Sequence, residues 1–425
     1  TGFSKTGAGG TILCVTDNGS STTVVQSNCT NNNFSNITVT GATTLTGLSY
    51  TDGGTAPSRT VTGNTISNWT GGTSAINCMN FTYWSGSTST LNTNTISNVT
   101  GQGAVTGITI GSTVITANPM SVSNNTINNL SSTGTGGAVT GITCSNTSPV
   151  ININGNTINT LSSTGASLVS GISVSGATNT SVYKNKIYDL TGSNASSTVS
   201  GVTVSGGTLV YIYNNLVGDL KAPSANAANP VNGINISGGT TVNVANNTVY
   251  IAAASAGALF GSSAINASTT PTVTLNNNIF VNNSTSSGAG LTVAYRRSTT
   301  TLTTYGALSN NNDFFASTIF TDGTNTDILM SAYKTRVASR DAASFSESPN
   351  FRSTAGSNAN YLKIDSTIAT QLDGSASIIS TPAITSDYYN IARYPNAGYP
   401  FNASYPPTAP DIGANEFGGI PIDLV

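Results

Sequence analysis

Asn64, Asn94, Asn125, Asn156, Asn185, Asn215, Asn247 and Asn278 follow one another at intervals of 29 to 32 residues. Nearly every one leads into Thr-Ile or a close variant, as in "GNTI", "NNTI", "KNKI" and "NNIF". A fixed period of that length marks a chain that stacks one supersecondary unit on the next, each burying its apolar side only against its neighbours. The 425 residues would suffice for two or three ordinary domains, but the repeat predicts a single elongated body.

Aligned repeats show three apolar stations per unit. The first is Gly-Ile-x-Val, seen as "GITI" at 107, "GITC" at 141, "GISV" at 171, "GVTV" at 201 and "GINI" at 233. Alternation there puts Ile108 and Ile110 inward and Thr109 outward, the period of a strand with one wet face. The second station precedes the recurring asparagine (Val122, Ile153, Val182, Ile212, Val244), and the third follows it (Ile127 with Leu130, Ile158 with Leu161, Ile187 with Leu190). An offset of three between Ile and Leu breaks the alternation, so a bend or bulge is expected between them. Helix is disfavoured by the β-branched residues and glycine. The expected fold is all-β: a triangular parallel β-helix, or β-solenoid, with three short strands per coil of about 30 residues.

The asparagines have a mechanical explanation. A tight turn between strands needs a residue that tolerates positive φ, and Gly63, Asn124, Gly155, Asn214, Asn246 and Asn277 stand just before the recurring position. The following asparagine can then point inward, bonding to backbone and to the asparagine of the next coil. From Ile172 to Asn185, Val202 to Asn215, Ile234 to Asn247 and Ile265 to Asn278 the distance is always 13. The return leg varies and is rich in Ser, Gly, Ala and Asn, which predicts loops along one edge of the stack.

The "GITVSG…VxVxNNTI" rhythm resembles the right-handed parallel β-helix (pectate-lyase-like) superfamily over about residues 60–285. That resemblance implies a right-handed coil and says little about function. Three regions are expected: residues 1–59 as an N-terminal cap with a first coil, where "NNNFSN" at 31–36 is a weaker match, 60–300 as the repeats, and 301–425 as C-terminal coils with an irregular cap. The last region, with "NNNDFF" at 310–315, "SDYYNIAR" at 386–393 and "PDIGANEF" at 410–417, resembles secreted β-helix surface proteins of Bacteroidetes. There Asp387 and Arg393 match the ends of a D-x-x-G-x-x-R element, with Asn390 at the usual glycine. The closing "IPIDLV" is similar to the linker before a type IX secretion sorting domain, which implies that export route.

Chemistry is constrained by what is scarce. Charged residues make up 7% of the chain against roughly 25% in ordinary soluble domains, and the net charge is −2. So little repulsion opposes self-association. No dense Lys/Arg patch is present, which argues against nucleic acid as a partner. No apolar run reaches the ~18 residues a membrane span needs, and the start, "TGFSKTGAGG", lacks signal-peptide character and reads as the product of processing. An extracellular or cell-surface location is expected.

Histidine is absent, which removes Ser-His-Asp triads and most zinc sites. Between residues 60 and 290 the only charged side chains are Lys184, Lys186, Asp189, Asp219 and Lys221. Asp189 and Asp219 occupy equivalent slots in adjacent coils, as a calcium site, as a paired acid and base, or as solvated turn carboxylates balanced by lysines. A calcium ion wants about six to eight oxygens, and the sequence does not single them out, so no cofactor is expected beyond that candidate. Tyr183 and Tyr213 are in register, with Tyr211 two residues upstream; outward tyrosines either contact a sugar or partner or merely stack across coils. The outward row Thr109, Thr143, Ser173, Thr203, Asn235 is similar to the threonine arrays of ice-binding solenoids, though Ser173 and Asn235 interrupt it.

Cys14 and Cys29, 15 residues apart, are candidates for a disulfide worth roughly 3 kcal/mol, the alternative being two free thiols. Cys78 in "AINC" and Cys144 in "GITC" are read as buried small hydrophobes replacing the second apolar residue of "GITI". Asp365-Ser366-Thr367 resembles the Bacteroidetes O-glycosylation motif, with Ser366 as acceptor, and Asn-x-Ser/Thr triplets such as Asn98-Val99-Thr100 are frequent. The expected role is that of a non-catalytic secreted structural protein, a surface adhesin or a fibre subunit whose strand-like tail docks onto the next copy. The alternatives are a polysaccharide lyase or hydrolase using Asp189, Asp219 and Lys221, a carbohydrate-binding β-helix acting on surface glycans, and an ice-binding solenoid.

Overall fold

Short runs of alternating β-branched and small polar residues form the three sides of each coil. The computed structural model describes residues 2–7, 9–18, 27–51, 59–82, 89–111, 120–145 and 150–422. It is a right-handed parallel β-helix of about nine coils, roughly 31 residues each. Sheet A runs through strands such as Thr95–Gly101, Thr126–Ser132 and Thr157–Ser163. Sheet B contains Val105–Ile110, Val139–Cys144 and Leu168–Val174; sheet C contains Met120–Ser123, Ile151–Asn154 and Asn179–Tyr183. Like pairs with like between coils: Ile127 with Ile158 and Leu130 with Leu161 in sheet A, Ile108 with Ile142 in sheet B, Val122 with Ile153 in sheet C. All of these side chains are fully buried in one continuous core.

The bend expected between Ile and Leu is present, and sheet B adds an irregularity that strict alternation did not imply. Between the Ile and Leu of sheet A stands a residue at positive φ: Asn68, Asn98, Asn129, Thr160, Asp189 and Asp219, all between 52° and 56°. In sheet B a bulge turns two consecutive residues inward, Gly107 and Ile108, while Thr106 and Thr109 face out. A Cβ on Gly107 would lie 2.6 Å from the Gly141 oxygen and 3.0 Å from Ile127 Cγ2. Glycine there lets sheet B close against the isoleucine row of sheet A.

That bulge corrects the reading of Cys78. Ile76 pairs with Val105 and Met79 with Ile108, so Cys78 fills the glycine slot, and Phe81 takes the second apolar position opposite Ile110. Cys144 does replace the second apolar residue, opposite Ile110 and Val174. Both thiols are buried. The Cys14–Cys29 disulfide is not formed, since both are free cysteines. Cys14 lies in the sheet B strand Gly10–Asp17, whereas Cys29 faces the corner between sheets C and A, where its Sγ meets Asn64 Oδ1 at 3.6 Å. Loop variation is likewise not confined to the return leg: the connection from sheet B to sheet C spans 111–119 in one coil and 205–208 in another.

The stack continues past residue 300 with Asp313–Ala316, and with Thr318–Thr321, which pairs with Thr292–Arg297. Its end is closed by the helix Met330–Val337, which sets Tyr333 and Val337 against Tyr305, Phe314 and Phe320 in the core. The hydroxyls of Tyr305 and Tyr333 both donate to the Asp341 carboxylate. Beyond residue 345 the C-terminal region is irregular, and it folds back along the outside of the stack. Tyr361, Leu362 and Ala414 pack on Leu216, while Ile364, Leu372, Ile412 and Phe417 pack on Ile279 and Val281. "IPI" of the strand-like tail is docked within the chain, where Thr370 N–H donates to the Ile420 oxygen (2.9 Å) and Ile422 N–H to the Thr370 oxygen (3.2 Å).

Candidate functional site

The corner between sheets C and A holds the recurring asparagines. Asn64, Asn94, Asn125, Asn156, Asn185, Asn215, Asn247 and Asn278 are all at most 1% exposed, and each is preceded by a residue at positive φ, from Gly63 to Asn277. The rungs share one polarity. Asn156 N–H and Nδ2 both donate to Asn185 Oδ1 (3.0 and 2.9 Å), and Nδ2 also donates to the Val122 oxygen (2.9 Å). Two rungs escaped the sequence reading: Asn32 donates to Asn64 Oδ1, and Asn278 donates to Asn312 Oδ1. At the far end Asn312 N–H donates to Ser344 Oγ (2.9 Å) and its Nδ2 to Asp341 (3.0 Å). The array is structural.

Asp189 and Asp219 belong to a second, exposed column. There Asn68 donates to Asn36, Asn98 to Asn68 and Asn129 to Asn98, all through side-chain amides, and Thr160 Oγ1 donates to Asp189 (2.9 Å). Aspartate suits the left-handed bend for the same reason as asparagine. The two carboxylates do meet, and Lys221 Nζ sits between them, 2.8 Å from Asp189 and 2.9 Å from Asp219. Burial disfavours the Lys221 ammonium, but the two carboxylates outweigh it and raise its pKa. A cation site there would have to displace that ammonium. Among the described residues no group of three or more Asp, Glu or Cys is placed to hold a metal ion.

On sheet C, Tyr183 and Tyr213 stack face to face, ring centroids 4.7 Å apart and 2° from parallel. Both are half-buried, which raises their phenol pKa values. Tyr211 lies beside them and shares a cleft with the tail residues Ile379, Pro382 and Ile384.

The outer face of sheet B carries Thr109, Thr143, Ser173, Thr203 and Asn235 in register, flanked across the bulge by Thr106, Thr140, Ser170, Ser200 and Asn232. The bulge draws the two rows together, with Ser170 Oγ 3.4 Å from Thr203 Oγ1. The rows lead to Arg296, paired with Asn266. Its Nε donates to Ser263 Oγ (2.8 Å), burial lowers its pKa, and among the described residues no carboxylate pairs with it.

The tail motifs form a clasp. Arg393, fully buried, binds Glu416 (2.9 Å), the Asp411 and Gly413 oxygens and Asn214 Oδ1 (2.9 Å). Asp387 accepts the backbone N–H of Ile391 (2.8 Å) and Glu416 (2.9 Å). Asn390 has φ of 65°, which explains why glycine suits that position. Lys184 reaches from the stack to Ser386 Oγ and Asn390 Oδ1. Ser366 is half-exposed in a turn where Asp365 accepts both Thr367 N–H (3.1 Å) and Oγ1 (2.8 Å). Among the described residues no helix is long and apolar enough to cross a membrane. No known family model matches the chain, and no curated protein or solved structure shows significant similarity to it.

Proposed function

We propose that this chain is a non-catalytic secreted structural protein, acting at the cell surface as an adhesin or as part of an extracellular fibre. The observation that carries the reading is how the carboxylates of the exposed bend column and of the tail clasp are engaged. Asp189 and Asp219 are tied to one lysine in a bend column, while Asp387, Asp411 and Glu416 accept backbone N–H groups or Arg393. A hydrolase or lyase needs an acid or base open to substrate, and these are committed to holding the fold. The long, laddered stack supplies stiffness. The resemblance to secreted Bacteroidetes β-helix proteins of the type IX class supports export and a surface location. Between the two forms of the reading, the adhesin is favoured over end-to-end polymerisation: a helix plugs one end of the stack, and the tail strand is already docked on Thr370.

A second reading, glycan handling along sheet B, is favoured by the half-exposed Arg296, which ends one of the two polar rows and has no carboxylate partner among the described residues. One comparison separates them: incubation with acidic glycans, with assay for new unsaturated or reducing ends, beside immunogold microscopy of intact cells. Surface labelling without product release agrees with the proposal. Release of either kind of end overturns it. A calcium titration that shifts the melt would add the cofactor that the proposal omits.

A further inference from the structure

Three buried carboxyl groups share one guanidinium in the clasp. Glu416 takes Arg393, while Asp373 and Asp411 have no ion-pair partner among the described residues. Both Asp411 oxygens accept backbone N–H groups, Oδ1 from Gly374 (2.8 Å) and Oδ2 from Phe417 (2.6 Å). Asp373 Oδ1 accepts Gly419 N–H (3.2 Å), and its side chain also hydrogen-bonds to that of Asp411. Two ionised carboxylates in contact repel, so a hydrogen bond between them requires a proton. With both its oxygens held by N–H groups, Asp411 is the better acceptor, which leaves Asp373 to carry the proton.

The pair sits where the tail grips the stack. Past Asp373, the Ser377 backbone is held by Asn277, whose Nδ2 donates to the Ser377 oxygen (2.7 Å) and whose Oδ1 accepts Ser377 N–H (2.9 Å). Past Asp411, Gly413 N–H donates to the Asn277 oxygen (2.8 Å) and Ala414 N–H to Thr248 Oγ1 (2.9 Å). Leu372, Ile412 and Phe417 cover Ile279 and Val281 there. The charged groups that face the pair are Glu416 and Arg393, with Lys184 and Asp387 around Arg393, and Glu347, which accepts Thr370 Oγ1 and Gln371 N–H. Burial raises the pKa values of Asp373, Asp411 and Glu416 alike.

We propose that the Asp373–Asp411 pair is a proton-operated latch: the tail lies closed while the pair holds a proton, and parts from the stack to uncover Ile279 and Val281 once that proton is lost. An open tail lets both carboxyls titrate at their ordinary value of 3.8, so above that value opening releases a proton. Closure is therefore strongest below the ordinary value and is lost as pH rises through the folded one. Because the proton belongs to the pair, opening becomes up to about tenfold more frequent per pH unit across that interval. The latch depends on the clasp alone and stands or falls independently of the surface role.

The test is amide hydrogen exchange of the full chain from about pH 4 to about pH 9, expressed as protection factors so that the intrinsic effect of pH cancels. Protection of Gly374, Phe417 and Gly419 should fall by up to about tenfold per pH unit over part of that range, while Asn156 and Asn185 in the ladder hold theirs. Asp373→Asn keeps a donor toward Asp411 with no proton to lose, so its tail should stay protected throughout. If that variant disturbs the tail at every pH, the parent's own profile decides. The inference is overturned if the parent's tail protection is flat or rises with pH, if Asp373→Asn keeps the parent's slope, or if ladder amides lose protection in step with the tail.

Discussion

Each buried asparagine of the ladder satisfies several neighbours at once. Asn156 Oδ1 accepts both Asn125 N–H and Asn125 Nδ2 at 3.0 Å, while its own Nδ2 satisfies the Val122 oxygen. Leucine at 156 adds apolar bulk and abandons these groups inside the core, at about 1–3 kcal/mol for each one left unpaired. Asn156→Leu should therefore cost roughly 3 kcal/mol or more by denaturant unfolding, and an unchanged midpoint would remove the ladder from the energetics. Asp313 allows a prediction with a definite pH sign. It is fully buried, its Oδ1 accepts Glu347 N–H (2.8 Å), its Oδ2 has no partner, and burial holds its pKa well above the ordinary 3.8. Because the folded state favours the proton, its contribution is complete below the ordinary value and is lost as pH rises through the folded one. Melting temperatures measured from pH 4 upward should decline less steeply for D313N than for the parent, and identical slopes would contradict the assignment. Eight rungs were legible because "NTI" repeats so regularly. Asn32 and Asn312 were not, because Asn33-Phe34 and Asp313-Phe314 replace the Thr-Ile that marks the others. The bend column holding Asp189 and Asp219 was visible only as a broken alternation, and its left-handed backbone accounts for the residue type at both positions.

Among the elements, the bulged strands of sheet B depend on a column of small residues. A Cβ on Gly171 would meet Ile187 Cγ2 at 2.5 Å and the Gly201 oxygen at 2.6 Å, so valine there must push sheets A and B apart. Overpacking of this kind typically costs about 1–3 kcal/mol, and Gly171→Val should lower the unfolding midpoint accordingly. Ser173→Val, on the outward row two residues on, is the control expected to change it little. The column admits Ala264, opposite Gly233, and Ala294 in the next coil, so a methyl group is tolerated where the neighbouring coils allow it. The three apolar stations were legible from period alone, and so was the assignment of strands to sheets. The misplacement of Cys78 has the same source. Strict alternation cannot represent two consecutive inward residues, and "INCMNF" lacks the glycine that signals the bulge elsewhere.

The whole molecule is a laddered stack with one plugged end and a tail laid back along its side. Nothing periodic announced that tail, and its contacts join residues as far apart as Lys184 and Asn390, so the sequence offered its motifs but not their destination. The clasp should be separable from the stack. Arg393→Met leaves Glu416 buried without its cation, a loss of about 3–5 kcal/mol when one partner of a buried pair is removed. Limited proteolysis of that variant should cut within 346–422 while the stack persists, and simultaneous loss of both would mean that the tail is part of one cooperative unit. The central claim, a single continuous ladder running the length of the stack, is tested most directly by residue-resolved amide hydrogen exchange. The account predicts that the backbone N–H groups of Asn64 through Asn278, each donating to the next asparagine side chain, exchange slowly and to a similar degree in every coil. Exchange of those amides at the rate of the connecting loops, or protection limited to isolated coils, would contradict it.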